Sequence, residues 1–494
     1  MRLLSNQNLL VISKNLFQIN NKMRRIFILS GLIISFFNNS FMKASDKEHI
    51  ISDINQRERE NKQCELYQKT GLIDIQKYAL NKNRNFQNTK LNIKSAEHLK
   101  RYHKRSLFPI ISITGNIDNA IDEWTDYKAT RKSDQSTQNS YVQSTTDTNT
   151  LSAEITWNIL NPSIYSSIKN ANHNLNESKY LSMSAYNNLL KEVRLSAINV
   201  DQQLDKIKST EDSIIRAQKL LEISNAQLES GFITKQDFAR QKNQSFQYEN
   251  ELRENLLNFN TSLTNLNLLI KNDNCPLMAS DSIKYIANKK NKIGENKNQL
   301  ISQAFENRFD IKSLREKIKA NKANIQYYKR VNLPSTSLYI SSTIYDTYYD
   351  EKLSSALKET TDTFYNDLSV GITTTSTFSS GQNNSMIKSL QSQAKILENQ
   401  YLDLQDSIRS EISNLFFERD TFLKQEDILK KQYIAAEETF KAIESAFSKG
   451  YSTMTEVLDA QRNLSSVEKA LIMNESNKSK NLVNLLRQIS ISEL

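Results

Sequence analysis

Leu151-Ser152-Ala153-Glu154-Ile155-Thr156-Trp157-Asn158-Ile159 alternates without a break between apolar and polar side chains. A period of two places Leu151, Ala153, Ile155, Trp157 and Ile159 on one face of a strand, with Ser152, Glu154, Thr156 and Asn158 on the other. Leu368, Val370 and Ile372 repeat the pattern against Ser369, Gly371 and Thr373, and Leu338, Ile340 and Ile344 do so more weakly. Strands are predicted at 107–118, 149–160, 335–346 and 366–378, with a loop rich in Ser, Thr, Asp and Gln between the first two. Runs of about 10–12 residues suit a tilted strand crossing an outer membrane, apolar outside and polar inside. A half-buried sheet on a soluble protein shows the same alternation. Four strands cannot close a barrel, and open edges are not tolerated in lipid, so the membrane reading forces oligomerisation. Three chains supply twelve strands, enough for an aqueous lumen.

Outward from the strands the chain is helical. Only 8 glycines and 4 prolines occur in 494 residues, so turns are few and helices long. One long helix is predicted over 163–230, where Leu190, Val193, Ala197, Val200, Leu204 and Ile207 step by three and four. Gly231 breaks it, and a shorter helix follows to 271. A second long helix is predicted over 382–449, ending at Gly450, with a final helix over 455–488. At 1.5 Å per residue each long helix spans about 100 Å, several times a bilayer.

The chain also states itself twice. Leu107-Phe108-Pro109 returns as Asn332-Leu333-Pro334, and Gln227–Thr234 returns as Ser445–Thr453. The expected organisation is a signal segment over 1–44, a flexible stretch over 45–69, a first repeat over 70–272, a linker over 273–299 and a second repeat over 300–491. The signal reading rests on Lys22-Met23-Arg24-Arg25 followed by the apolar run Ile26–Phe37. A membrane anchor is the alternative, and either Met1 or Met23 can be the start. Residues 1–44 hold six cations and no acid, so the formal charge of +10 falls to about +4 without them. That is weak ground for nucleic acid, and no basic stripe with interleaved aromatics occurs. Cys64 and Cys275 form no metal spacing, and their pairing stays open.

These residues resemble the outer membrane efflux protein family, of which TolC is the namesake. The sharpest pieces are the prolines at the strand starts (Pro109 and Pro334), Trp157-Asn158-Ile159-Leu160, Phe378-Ser379-Ser380-Gly381 and Lys449–Gln461. The resemblance implies a mainly α fold with a small β part: long antiparallel coiled-coil helices form a tunnel, and four transmembrane strands per chain close a twelve-stranded barrel in the trimer. It implies passive efflux of small molecules or type I protein secretion through the outer membrane. A periplasmic adaptor and an inner-membrane ABC or RND-type transporter are the implied partners, and no cofactor is implied. A secreted coiled-coil fibre or surface-layer protein is the competing expectation.

Glu456 and Asp459 are i and i+3 on one helix face, and threefold symmetry gathers six carboxylates around one axis. The resemblance puts these two at the tunnel entrance and gives Asp237 a part in holding it closed. Phe447 and Ser452 stand where better-described members carry an aromatic hydroxyl and an arginine, leaving Lys235 or Lys449 as substitutes. Thr453-Met454-Thr455-Glu456 is also a helix capping box, and Thr234-Lys235-Gln236-Asp237 nearly one, which accounts for Glu456 and Asp237 but not Asp459. The four histidines, His49, His98, His103 and His173, fall in no catalytic or metal pattern, and no phosphate-binding glycine loop occurs.

Overall fold

The computed structural model describes residues 67–130, 137–272, 275–280, 282–287, 296–353, 358–378 and 381–489. The segment read as a signal and Cys64 lie outside them; Cys275 is disulfide-bonded. In chain order the elements are β1 (Gln68–Gly71), α1 (Leu72–Lys82), α2 (Arg84–Arg105), β2 (Ile110–Thr130), β3 (Thr137–Leu160), α3 (Pro162–Glu229) and α4 (Lys235–Ile270), then β4 (Leu277–Ser280) and α5 (Ser282–Ala287). They continue as α6 (Lys297–Asn307), α7 (Phe309–Arg330), β5 (Ser335–Leu353), β6 (Lys358–Thr375), α8 (Gln382–Ser448) and α9 (Met454–Gln488). The series α1-α2-β2-β3-α3-α4 matches α6-α7-β5-β6-α8-α9 in kind and order. The helices match in length too: 11 and 11, 22 and 22, 68 and 67, 36 and 35 residues. Among the described residues no helix is long and apolar enough to cross a membrane.

The four long strands form one antiparallel sheet in the order β2-β3-β5-β6. β2 and β3 run well into the residues read as a polar loop, and β5 and β6 are also longer than predicted, at 19 and 18 residues. The reason is that the ladders persist where alternation ends: Ala120 still faces Thr146, and Thr146 faces Tyr349. Thr and Tyr favour a pleated sheet on either face, so these segments pair without an apolar stripe. Gln68 and Lys69 of the predicted flexible stretch and part of the predicted linker also form regular elements. β1 pairs in parallel with β4, from Gln68 opposite Leu277 to Gly71 opposite Ser280.

The helices next to the sheet continue its order, with α2 packed on α3, α3 on α7 and α7 on α8. Residues 72–105 form two helices, α1 and α2, interrupted at Asn83, and Arg308 interrupts the second copy at the equivalent point. Neither break needs Gly or Pro, because side chains stabilise it. Asn83 Oδ1 accepts from the Phe86 amide at 3.1 Å, and its Nδ2 donates to the Leu269 carbonyl at 2.9 Å. The Arg308 guanidinium donates to Gln488 and pairs with Asp310 at 2.5 Å. One buried cluster surrounds each break: Leu72, Ile75, Val193, Leu266 and Ile270 in the first copy, Leu300, Ile311, Ile408, Ile412 and Leu485 in the second. A third cluster lies where α3 and α8 end, around Leu220, Phe440, Phe447 and Val457.

Candidate functional site

Two regions carry the chemistry, the sheet and the helix turns. In the sheet, directly opposed residues share a face, so the register shows what each face presents. Ile111, Ile155, Ile340 and Val370 form one row, and Trp157, Leu338 and Ile372 form another. Further rows run through Leu151 and Ile344 and end near Ile117 and Phe364. This apolar band is exposed: Ile111 is 70% and Val370 65% accessible. It covers about eight residues, or ~26 Å along a strand and ~20 Å of height at a tilt of about 40°, close to the lipid-facing height of an outer-membrane barrel. Aromatics mark both margins. Trp157 donates from Nε1 to the Leu107 carbonyl at 2.9 Å at the helix side, while Tyr348 and Phe364 lie at the far side. The opposite face carries Ser112, Glu154, Ser341 and Ser369, then Thr114, Ser152, Thr343 and Asp367. On that polar face the Tyr345 and Tyr365 rings stack at 4.6 Å. Pro109 and Pro334 sit immediately before β2 and β5, where a missing N–H costs no ladder bond.

At the other end of the long helices, Gly231 and Gly450 adopt φ of +77° and +79°. A side chain at either position finds open space but a strained backbone, which explains glycine at both reversals. After each turn stands a complete capping box. The Asp237 carboxylate accepts from the Thr234 hydroxyl at 2.7 Å while the Asp237 amide donates to that hydroxyl at 3.1 Å. Glu456 accepts from the Thr453 amide at 2.8 Å and, in addition, from the Ser452 hydroxyl at 2.5 Å. These hydrogen bonds, the one from Ser452 foremost, hold the Glu456 carboxyl below its ordinary range.

The structure therefore gives Ser452 a role the sequence did not show, as a second donor to Glu456. It buries Phe447, only 1% accessible, in the terminal apolar cluster, so in the single chain this ring packs the tip and does not face solvent. Its carbonyl accepts from Gln227 Nε2 at 2.6 Å, tying the end of α8 to the end of α3. Asp459 is 68% accessible, with Arg462 Nη1 at 3.8 Å, and Asp237 has Arg240 Nη1 at 3.7 Å. Lys235 and Lys449 are exposed. Sequence reasoning missed the two arginines, although each follows its acid by three residues, a spacing that pairs side chains on a helix. Arg462 also donates from Nε to Gln244 at 2.7 Å, reaching from α9 to α4. Among the described residues no group of His, Cys, Asp and Glu is arranged to hold a metal ion. His173 Nδ1 lies 2.8 Å from Glu316 between α3 and α7. Burial opposes ionisation of Glu316, but hydrogen bonds from His173, Lys319 and Asn176 prevail and bring its pKa to about 2.

The outer membrane efflux protein family model matches residues 300–489, nearly all of the second series of elements. No curated protein sequence matches the chain. Among solved structures, a membrane protein from Pseudomonas aeruginosa is similar at 17% identity and a TM-score of 0.63, over 85% of this chain and 92% of that one. The outer membrane protein VceC from Vibrio cholerae is similar at 13% identity and a TM-score of 0.63, over 85% and 96%. The open MtrE outer membrane channel from Neisseria gonorrhoeae is similar at 17% identity and a TM-score of 0.61, over 85% and 88%. The second copy thus matches the outer membrane efflux protein family model, and the fold, with its four-stranded sheet and long paired helices, is shared along most of the chain with these solved structures.

Proposed function

We propose that three copies join edge to edge into a twelve-stranded barrel with a helical tunnel, and that cargo leaves passively through its lumen. One observation carries this reading. The exposed apolar band belongs to a sheet whose edge strands, β2 and β6, are unpaired in the single chain. Lipid does not tolerate such edges. Successive antiparallel pairings make β2 and β6 run in opposite directions, so β6 of one copy can add to β2 of the next in the same antiparallel sense. The polar face then lines the lumen.

A passive wall needs an energy source elsewhere. The reading therefore includes an inner-membrane transporter of the ABC or RND type and a periplasmic adaptor that joins it to the helix turns. The chain itself catalyses nothing and needs no cofactor or nucleic acid. Its domains in this reading are the two repeats, joined through β4 and α5. At the entrance, Glu456 and Asp459 supply negative charge near the axis and Asp237 caps the helix beside it. Phe447 anchors the tip and Ser452 fixes the direction of the Glu456 carboxylate. Extraction in mild detergent followed by planar-bilayer recording tests the proposal. A heat-dissociable trimer with stable conductance is the expected result; a monomer without conductance overturns it.

A further inference from the structure

The channel's basic charge is concentrated beside the apolar band. Four stretches of chain leave the sheet at its helix end: 98–109 before β2, 161–176 after β3, 317–334 before β5 and 376–397 after β6. They hold four, one, five and two Lys or Arg residues respectively, and no acid. Lys319 and Lys322, at the margin away from the sheet, pair with Glu316 at 2.7 Å and Glu398 at 3.2 Å, while Lys329 and Arg330 lie nearer the sheet. The first acids met on moving away from the sheet are Glu97, Glu177, Glu316 and Glu398. The far end of the molecule differs. Residues 225–244 and 444–463, which flank the two helix turns, hold five acids and five bases.

A field of one sign costs self-repulsion unless an opposite charge faces it. The position identifies that charge. Trp157, at the helix-side margin of the band, bonds to the Leu107 carbonyl, and Lys104 and Arg105 lie three and two residues before Leu107. One helical turn is about 5 Å, well within a Debye length of about 8 Å. Arg101, Lys104, Arg105, Lys169, Lys329 and Lys388 are all exposed. Tyr102, Phe108 and Phe378 are exposed among them, giving the mixture of aromatic and cationic side chains that favours a membrane–water boundary. The two copies supply the cations at equivalent places, the last turns of α2 and α7, so a trimer repeats them six times around the wall.

We infer that this basic collar binds the anionic phospholipid headgroups of the leaflet that faces the helices. The inference rests on the barrel reading and adds a lipid partner to it. Each Lys or Arg close to an anionic surface contributes about 1 kcal/mol, or about fivefold in association, and the contribution is screened by salt.

The test reconstitutes the full chain with spin-labelled phosphatidylglycerol or spin-labelled phosphatidylcholine and measures the immobilised fraction of each probe. At low salt phosphatidylglycerol is expected to be favoured by about threefold or more, and the preference should vanish in 0.5 M salt. The variant R101Q/K104Q/R105Q/K329Q should lose the preference. K424Q/K431Q, which alters exposed lysines on α8 far from the sheet, should keep it. The salt dependence of the unaltered protein gives the answer even if the first variant fails to assemble. Equal association of both lipids with a conducting wild-type channel overturns the collar and leaves the channel standing. Failure to insert into either bilayer overturns the barrel reading itself. Charge-dependent sedimentation with purified peptidoglycan, without any lipid preference, also overturns the lipid assignment and gives the collar to the cell wall.

Discussion

Neutralising Arg462 and neutralising Asp459 should move the ion selectivity of the proposed channel in opposite directions. The two side chains lie 3.8 Å apart on the exposed face of α9 just inside the helix turn. In the proposed trimer Asp459→Asn removes three negative charges from the proposed entrance and Arg462→Gln removes three positive ones. Three unit charges at about 10 Å from the axis act on a passing ion with ~1.2 kcal/mol in water, or about 0.4 kcal/mol after screening over one Debye length at 0.1 M salt. That energy enriches one ion about twofold and depletes its counterion about twofold, so the cation-to-anion permeability ratio changes about fourfold. Arg462→Gln should raise the ratio and Asp459→Asn should lower it, both read from reversal potentials in a salt gradient across a planar bilayer. Glu456→Gln should act more weakly than Asp459→Asn, because the Glu456 carboxylate is turned back onto Ser452 and Thr453. If both single variants kept the wild-type ratio, these residues would not face the ion path and the entrance assignment would fail.

Phe447→Ala should cost about 3–5 kcal/mol locally by leaving a cavity between Leu220, Met454 and Val457, seen as faster amide exchange at the ends of α8 and α9 with the sheet unaffected. Arg308→Ala should cost about 3–5 kcal/mol, because Asp310 and Gln488 lose the buried guanidinium that partners both; a fall in melting temperature checks it. Burial pushes the Asp201 carboxyl up to about 6, against hydrogen bonds from Ser282 and Ile283. Its folded pKa lies above the unfolded value, so its contribution is full below about pH 4 and lost as pH rises through 6, at most about 3 kcal/mol. Asp201→Asn should therefore raise the melting temperature at pH 7.5 relative to wild type and change it little at pH 4.

The helical part was legible because its punctuation is chemical. Gly231 and Gly450 are the residues that a left-handed reversal selects, and the Thr-x-x-Asp and Thr-x-x-Glu boxes that follow define the next helix starts. The apolar band was legible because a strand with unlike faces imposes alternation on Leu151–Ile159. Beyond the band both faces are polar and alternation stops, although the strands do not; hence β3 begins at Thr137, twelve residues before its predicted start. The break at Arg308 was hidden because a tertiary partner, Gln488, stabilises it; Asn83 is a helix-capping residue type that accepts from Phe86, but its break also depends on the distant Leu269 carbonyl. Beside the expected entrance acids, the structure places Arg240 next to Asp237 and Arg462 next to Asp459. The i, i+3 spacing of these pairs was present in the sequence, but on exposed helices such spacing is common and does not by itself single out a pair.

The near-equal helix lengths, 68 against 67 residues and 36 against 35, make the duplicated chain a gauge with two matched arms. Adding a heptad to α3 alone would carry its turn about 10 Å past that of α8, and would separate Gln227 from the Phe447 carbonyl. Insertions are tolerable only when made in both long helices and both return helices at matching depth. Variation in the reach of such proteins should therefore occur in paired, heptad-sized steps, and a designer lengthening this conduit must edit four places at once.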